Sequence, residues 1–207
     1  MLIKEINNQS IWEDFLLQSD QVNFLQSWNW GQFHQSLNKK IFRLGFYQHN
    51  KLQGVALLIK IKAKRGTYLE CPGGPIINWN DPSHLTAFVN HIKTISDQEN
   101  ISFVRLRPNI LETQDRLKQL KSVGMTKAPM HLHAETTWVL DLNQSEEELL
   151  ANMRKNTRYS IKKAQKLGVK VTTSLDNQDV DLLYQLQLEA VKRHKFMPFS
   201  KNILLNN

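Results

Sequence analysis

Three strand-like runs stand close together in the first half of the chain, and they constrain the fold more than any other feature. Residues 41–47, 52–62 and 67–71 are rich in β-branched, aromatic and other apolar side chains. Only short connections separate them, with Asn50-Lys51 expected to turn the first hairpin and Arg65-Gly66 the second. Because a turn of two residues joins antiparallel neighbours, the sequence predicts an antiparallel meander at the centre of the fold.

Helix and strand patterns flank this meander on both sides. A strand at 2–6 and helices beginning near residues 11 and 27 precede it. The segments predicted after it are, in order, a helix at 83–95, a strand at 101–107, a helix at 112–123, a strand at 136–142, a helix from 145, a strand at 169–173 and a helix at 180–193. Alternation of helix and strand requires crossover connections, so the sequence predicts a mixed α/β fold with a crossover-connected back.

Composition limits the class of protein and its partners. The chain has 207 residues, 41% hydrophobic and 22% charged, which suffices for one large domain or for one domain and a piece of another. A net charge of +8 and a pI near 9.6 favour acidic partners: nucleic acid, an anionic membrane surface or phosphorylated small molecules. No signal core or apolar span is found, so we expect a cytoplasmic protein, with contact to the inner face of the membrane left open.

Residues 149–168 carry most of the excess positive charge. No acidic residue lies between Leu149 and Leu175, whereas seven cations do: Arg154, Lys155, Arg158, Lys162, Lys163, Lys166 and Lys170. Residues at helical spacing form an apolar stripe, namely Leu150, Met153, Thr157, Ile161 and Ala164, and Ser145 with Glu148 forms a capping box. The sequence therefore predicts one amphipathic helix from Ser145 to Gly168, where glycine ends it. A cationic row of Arg154, Arg158, Lys162 and Lys166, each four apart, lies beside the apolar stripe.

Two interpretations of the cationic row remain open from the residues alone. The first is a solvated face whose lysines keep an amphipathic helix soluble. The second is a binding site for phosphate or another anion. Like charges repel by roughly 0.2–0.5 kcal/mol per pair in a helix, and a run without carboxylates to offset that repulsion suggests an external anion.

Few other residues indicate a catalytic, metal-binding or anion-binding site. The single cysteine, Cys71, excludes an internal disulfide and a cysteine-built zinc site. His131 and His133 have no third ligand at useful spacing and are interpreted as surface or strand histidines. Arg105 and Arg107 share one face of a predicted strand, where they pair with acids of a neighbouring strand or bind an anion. No nucleophile with a neighbouring base can be identified, and no nucleotide-binding motif is present.

Two further patterns also have alternative interpretations. Pro72-Gly73-Gly74-Pro75 is interpreted as a structural turn in preference to a close backbone approach to a ligand. Trp28 and Trp30 lie two apart on a predicted helix and cannot both face its buried side. One of these two tryptophans is therefore expected to be partly exposed.

The basic stretch resembles the signature of a known family. Met153-Arg-Lys-Asn-Thr-Arg-Tyr-Ser-Ile-Lys-Lys-Ala-Gln-Lys-Leu-Gly-Val-Lys-Val171 is similar to K-x-R-Y-x-I-x-x-A-x-x-x-G-V-x-V, the motif of the FemABX peptidoglycan-bridge aminoacyltransferases. Upstream landmarks agree in order: Gln26-Ser27, Trp30-Gly31, Gly74-Pro75 and Arg105-Leu-Arg-Pro108. The segment that follows in the family resembles Tyr184, Arg193, Phe196, Pro198 and Ser200. The resemblance therefore runs over nearly the whole chain.

This resemblance implies a fold and an activity. FemABX members are built from two GNAT-like (acyl-CoA N-acyltransferase) halves, each a mixed α/β sheet with helices on both faces. They transfer an amino acid from aminoacyl-tRNA to the stem-peptide amine of a peptidoglycan precursor, either lipid II or UDP-MurNAc-pentapeptide, without a metal or an acyl-CoA cofactor. By position, the residues implied to contact the substrate or its diphosphate are Arg158, Tyr159, Lys162, Lys163 and Lys166.

The chain departs from the family in two residues and in length. Gln32 stands where some relatives have a precursor-binding lysine, and Asn78 stands where they have an aspartate. The expected division is a GNAT-like first domain at 1–172 and an incomplete second domain at 173–207, as in a truncated gene or a chain completed by a partner. We expect these 207 residues to bind substrate at best and to have little or no transfer activity.

Two other functions are compatible with the same residues. A nucleic-acid-binding module can use the basic helix on tRNA or DNA phosphates, with an affinity that falls steeply as salt rises. The other is a plain GNAT N-acetyltransferase, although the sequence lacks the Gln/Arg-x-x-Gly-x-Gly/Ala pyrophosphate loop with which that fold binds acyl-CoA. Titration with the precursor, tRNA and acetyl-CoA separates the three functions.

Overall fold

The computed structural model describes residues 1–64, 66–130, 132 and 136–205. Its strands are β1 (Leu2–Glu5), β2 (Ile41–Gln48), β3 (Lys51–Ala63), β4 (Gly66–Gly73) and β5 (Phe103–Pro108). Its helices are α1 (Gln9–Leu17), α2 (Trp28–Ser36), α3 (Pro82–Glu99), α4 (Gln114–Ser122), α5 (Glu146–Asn152), α6 (Lys155–Lys166), α7 (Asn177–His194) and α8 (Lys201–Leu205), with a short 3-10 helix at Phe24–Gln26. The sequence patterns do not predict α8 or the 3-10 helix.

The described residues form a mixed sheet of five strands in the order β1-β2-β3-β4-β5. Neighbours from β1 to β4 are antiparallel, whereas β4 and β5 are parallel, with Tyr68 opposite Phe103 and Gly73 opposite Pro108. Helix α3 lies in the crossover connection between these two parallel strands. The predicted antiparallel meander and the first crossover of the predicted back are therefore confirmed.

The first hairpin turns one residue earlier than predicted. Gln48 lies opposite Lys51 in the register, so the turn residues are His49 and Asn50 rather than Asn50-Lys51. Both turn residues have positive φ angles, 49° and 62°, as a two-residue turn that matches the twist of the strands requires. The second predicted turn includes Arg65, which lies outside the described residues.

Helices cover both faces of the sheet, as the α/β fold class predicts. On one face, Phe88 of α3 belongs to a buried cluster with Leu58 of β3. On the other face, Trp12 of α1 and Trp28 of α2 are buried in a cluster with Leu57. Successive residues of a strand point to opposite faces, so β3 contributes to both cores, and each large side chain that is fully buried contributes about 1.5–3 kcal/mol.

The chain separates into two compact units, Met1–Ala128 and Pro129–Leu205. The first contains the sheet and α1 to α4, and the second contains α5 to α8. No described residue beyond Ile95 is buried, so the described buried core lies in the first unit. The expected division of the family fold at 172/173 stays a prediction. Among the described helices, none combines the length and the apolar character that a membrane crossing needs.

The strands predicted at 136–142 and 169–173 are wrong, because neither segment forms a strand. Their alternating apolar residues favour extended backbone, but a β-strand is stable only when a neighbour pairs with its N–H and C=O groups. In the described part of the chain, nothing pairs with either segment. Trp138 and Val171 are accordingly 90% and 92% exposed.

Candidate functional site

The basic stretch folds as two helices, not as the single helix predicted from Ser145 to Gly168. The capping box is confirmed: the Glu148 amide donates to Ser145 Oγ at 3.2 Å, and the Ser145 amide donates to the Glu148 carboxylate at 2.9 Å. Helix α5 then ends, and Met153 and Arg154 are extended, with ψ angles of 153° and 146°. Helix α6 follows, and Gly168, at a φ of 74°, lies just past its end as predicted.

The side chain of Arg158 bridges the break between the two helices. Its Nη1 donates to the carbonyl oxygens of Ala151 and Met153, at 2.8 and 2.7 Å. These carbonyls lie at the C-terminal end of α5, where the helix dipole is negative and backbone acceptors lack helical partners. The guanidinium therefore closes α5 and holds the first turns of α6 beside it. The predicted apolar stripe from Leu150 to Ala164 is interrupted at the same point.

Replacing Arg158 by alanine is expected to loosen the junction between α5 and α6. The variant loses two hydrogen bonds from a charged donor to helix carbonyls, which costs about 1 kcal/mol at this half-buried position. Hydrogen exchange of the α6 backbone amides should accelerate roughly fivefold. Lys163→Ala is the control, since it removes the same charge from an exposed position of the same helix. Equal acceleration in both variants would contradict the structural role of Arg158.

Helix α6 gathers its cations on one side. At about 100° per residue, all of its positive side chains and Tyr159 fall within roughly 140° of the helix circumference. Ile161 and Ala164 lie on the other side and are half-buried, whereas the lysines are exposed and Tyr159 is 64% exposed. The residues predicted to bind substrate thus share one surface, named here the α6 basic face: Arg158, Tyr159, Lys162, Lys163 and Lys166.

Among the described residues, no acidic group pairs with the α6 basic face. In residues 1–64, 66–130, 132 and 136–205, no acidic side chain forms an ion pair with α6. The first turn of α6 contains no acidic residue, and the side chain of its N-cap, Arg154, makes no capping bond. Exposed like charges on one side of a helix create a positive potential that attracts anions.

The glycine turn at 72–75 packs against side chains from the segment before α2. A Cβ atom at Gly74 would come within 2.7 Å of the Gln26 side chain, and a Cβ atom at Gly73 would overlap Asn23. Gly73 also has a φ of 68°, a conformation that favours glycine, and its carbonyl accepts from Asn23 Nδ2 at 2.9 Å. These contacts support the interpretation of the turn as structural.

Two other sequence-based interpretations concern residues of the first unit, one in the sheet and one in α2. Arg105 lies opposite Glu70 in the register of β4 and β5, which agrees with pairing between arginine and an acid of the neighbouring strand. Trp28 is 8% exposed and Trp30 is half-buried, which confirms that one of the two is partly exposed. Neither finding assigns a ligand to these residues.

The two departures from the family pattern, Gln32 and Asn78, are both exposed. Asn78 Oδ1 accepts from the amide of Asn80 at 3.0 Å and so stabilises the turn that leads into α3.

His131 and His133 lie outside the described residues, and their interpretation stays a prediction. Within the part of the chain that the structure describes, no group of histidine, cysteine, aspartate or glutamate can hold a metal ion.

Comparisons with known proteins identify the family. The sequence matches the FemAB family over residues 8–202. The chain belongs to the FemAB family. The resemblance carried by the basic stretch is thereby confirmed, together with the GNAT-like mixed α/β fold that it implies. No curated protein matches the sequence.

The crystal structure of FemX aligns with the whole chain. The TM-score is 0.80 at 19% sequence identity, over 100% of this chain and 54% of FemX. This FemAB-family chain therefore spans about half the length of FemX. The structure of a probable acetyltransferase aligns at a TM-score of 0.45 and 10% identity. This alignment covers 68% of this chain and 99% of the acetyltransferase. The structure of aminoglycoside antibiotic 6'-N-acetyltransferase AAC(6')-IG from Acinetobacter haemolyticus aligns at a TM-score of 0.46 and 13% identity. This alignment covers 67% of this chain and 100% of that protein.

Proposed function

We propose that this chain is the precursor-binding part of a peptidoglycan-bridge aminoacyltransferase. In the proposed reaction the stem-peptide amine attacks the ester carbonyl of an aminoacyl-tRNA, an amide bond forms, and the ribose oxygen leaves with a proton. The acceptor is a peptidoglycan precursor, either lipid II or UDP-MurNAc-pentapeptide. The α6 basic face is the observation that supports this proposal most, because both precursors carry a diphosphate.

The spacing of cations on the α6 basic face supports diphosphate binding. Lys162 and Lys166 lie four residues apart on the same side of α6, so their backbones are about 6 Å apart and their two ammonium groups can meet two phosphates. Lys163 extends the face, and Tyr159 adds a hydroxyl group and a ring. We assign two roles to Arg158, which closes α5 and adds its charge to the potential of the face.

The proposed reaction requires little covalent chemistry from the protein. The ester of an aminoacyl-tRNA is already activated, so positioning and stabilisation of the developing oxyanion can supply most of the acceleration. A diphosphate held on α6 fixes one end of the acceptor and reduces the entropy that is lost when its amine meets the ester. We therefore assign binding and orientation, and not proton transfer, to the α6 basic face.

The double variant Lys162→Gln with Lys166→Gln is expected to bind UDP-MurNAc-pentapeptide about tenfold more weakly. Two charge-assisted contacts to phosphate are lost, and a tenfold change corresponds to about 1.4 kcal/mol. Isothermal titration calorimetry at low salt measures the change. The matched control is Lys118→Gln with Lys121→Gln on α4, which removes the same charge from exposed positions of another helix.

If the α6 double variant bound UDP-MurNAc-pentapeptide as tightly as the wild type, the α6 basic face would be a solvated surface and not a phosphate-binding site. Separate titrations with tRNA and acetyl-CoA test the other two functions. Binding of acetyl-CoA alone would contradict the proposal, and binding of tRNA alone would favour a nucleic-acid-binding module that uses the same face.

We also propose that the residues from 173 onward begin a second GNAT-like domain that is incomplete within the 207 residues. Helix α7 exposes Leu182, Leu183 and Leu186 by 62%, 53% and 55%, which supports a further packing partner for this helix. The alignment with only 54% of FemX is consistent with such a partner, supplied by further polypeptide.

A further inference from the structure

Strand β1 forms one edge of the described sheet, and some of its backbone groups face away from β2. The amide of Ile6, the residue after β1, donates to the Arg43 carbonyl oxygen at 2.8 Å. In an antiparallel ladder, residues that bond the neighbouring strand alternate with residues whose N–H and C=O groups point the other way. This alternation turns the backbone groups of Ile3 and Glu5 outward, about 6.8 Å apart. Among the described residues, no strand pairs with β1 on that side, named here the β1 edge.

An open groove of about 800 Å³ adjoins the β1 edge. It lies between the start of β1, the end of β2 and one side of α3, whose lining residues recur at helical spacing. None of the described residues that line it is Asp, Glu, Lys or Arg. Burial lowers the pKa of His91, against the opposing charge of Glu5, so the imidazole is neutral at neutral pH. The polar side chains that line this β1 groove are Gln48, Ser83, Thr86, Asn90, His91 and Thr94.

The chemistry of the edge and of the groove selects an extended peptide as the ligand. A phosphate would meet no cationic side chain in the β1 groove, whereas the hydroxyl, amide and imidazole groups there can bond uncharged side chains. The outward N–H and C=O groups of Ile3 and Glu5 match those of a further strand. A peptide that extends an exposed sheet edge is held through such main-chain bonds.

Alternation of side chains specifies the sequence of this peptide. Ile3 packs against the core cluster of Phe88, so Ile3 and Glu5 project to the α3 side of the sheet and Lys4 projects to the other side. Residues of an added strand beside Ile3 and Glu5 would share the α3 side, where small or hydroxyl-bearing side chains suit the β1 groove. The residue beside Lys4 would lie on the opposite side, where an acidic side chain can pair with the ammonium group.

A second copy of β1 is a poor occupant of the β1 edge. Antiparallel pairing through Ile3 and Glu5 would place Lys4 directly opposite the same residue of the other copy. Like charges directly opposite each other destabilise a strand pair, and lysine on an edge strand opposes self-pairing in this way. The charge of Lys4 therefore favours a different chain with an acidic residue at that position.

We propose that an extended segment of a partner protein adds to the β1 edge as a further strand, with small or hydroxyl-bearing residues over the β1 groove and an acidic residue beside Lys4. Hydrogen bonds between the two backbones supply affinity, and the groove with Lys4 supplies selectivity. The surface belongs to the first unit, includes no residue of α6 and does not depend on the proposed function.

The probe is the fluorescein-labelled peptide amide Ser-Val-Thr-Glu-Thr-Val-Ser, and fluorescence anisotropy measures its binding to the 207-residue chain. Its glutamate is designed to lie beside Lys4 and its threonines beside Ile3 and Glu5. N-methylation of both threonine amides removes the donors that face β1 and should weaken binding at least about tenfold. N-methylation of the glutamate amide, which faces away from β1, is the matched control and should change affinity by less than about threefold.

Two variants of the protein test the same contact from the other side. Glu5→Pro removes one outward N–H without removing a bond to β2, as proline on an edge strand does, and should weaken binding about tenfold. Glu5→Gln keeps that N–H and should stay within about twofold of the wild type. Asn90→Arg fills the β1 groove and should weaken binding at least about fivefold, whereas Gln98→Arg adds the same side chain to α3 outside the groove and should not.

Several results would overturn the inference. The first is no saturable binding of the probe up to about 1 mM, and the second is equal affinity for the two N-methylated peptides. Loss of probe binding in the double variant Lys162→Gln with Lys166→Gln would show that the acidic probe is held by the α6 basic face instead. A dimer in analytical ultracentrifugation that Glu5→Pro abolishes would assign the β1 edge to a second copy of this chain.

Discussion

Replacing Gln26 by leucine is expected to lower the free energy of unfolding of the first unit by about 3–5 kcal/mol. The side chain of Gln26 is fully buried and bonds the backbones of two strands. The Leu57 amide donates to its Oε1 at 2.8 Å, and its Nε2 donates to the Pro72 carbonyl at 2.7 Å. Leucine has a similar volume but can bond neither group, and each buried group left without a partner costs about 1–3 kcal/mol.

The position of Gln26 in the sheet explains why the loss should be large. Pairing of β3 with β4 ends at Ile59 opposite Glu70, and continuation of the same register would place Leu57 opposite Pro72. Proline has no N–H to donate to such a ladder. The amide of Gln26 occupies that point and bonds both strands, so it takes the place of the missing backbone pair.

Urea unfolding followed by tryptophan fluorescence measures this change, because Trp12 and Trp28 are buried in the first unit. The matched control is Gln32→Leu, which makes the same substitution at an exposed position of α2 and should change the free energy of unfolding by less than about 0.5 kcal/mol. A loss below about 1 kcal/mol in Gln26→Leu would contradict its role as a bridge between the strands.

Local patterns were sufficient to predict the meander, the crossover helix and the capping box. Strand alternation and helix caps depend on residues a few positions apart, so the sequence contains the whole signal. Ser145 and Glu148 form both predicted bonds for this reason. The signal for the candidate site is also local, because four-residue spacing predicts that Arg158, Lys162 and Lys166 share one face of a helix.

Contacts between residues that are brought together only by folding could not be predicted from local patterns. The bonds from Arg158 to Ala151 and Met153 cap the end of α5, although the spacing of apolar residues continues through the break. The bonds of Gln26 depend on which strands lie beside it after folding. The segment at 136–142 has the alternation of a strand but lacks a neighbour among the described residues, and pairing decides whether a strand forms.

Backbone amides of the second unit are expected to exchange with solvent at least about 1,000-fold faster, relative to intrinsic rates, than the amides of β3. Residues 55–59 of β3 are at most 1% exposed, so their exchange requires unfolding of the first unit. The second unit has no buried residue among those described, and Met197 is 91% exposed. A helix as short as α6 is marginal in water without burial of one face. A 1,000-fold difference corresponds to about 4 kcal/mol.

Hydrogen exchange followed by mass spectrometry tests this contrast in the 207-residue chain. Helix α4 is the internal control, because it also lacks buried residues but packs Leu120 against the core of the first unit, and its protection should be intermediate. Protection of α6 and α7 equal to that of β3 would contradict the prediction. Saturating precursor should then slow exchange in α6 but not in α4, since a ligand stabilises the state to which it binds. The same measurement therefore also tests the proposed diphosphate site on the α6 basic face.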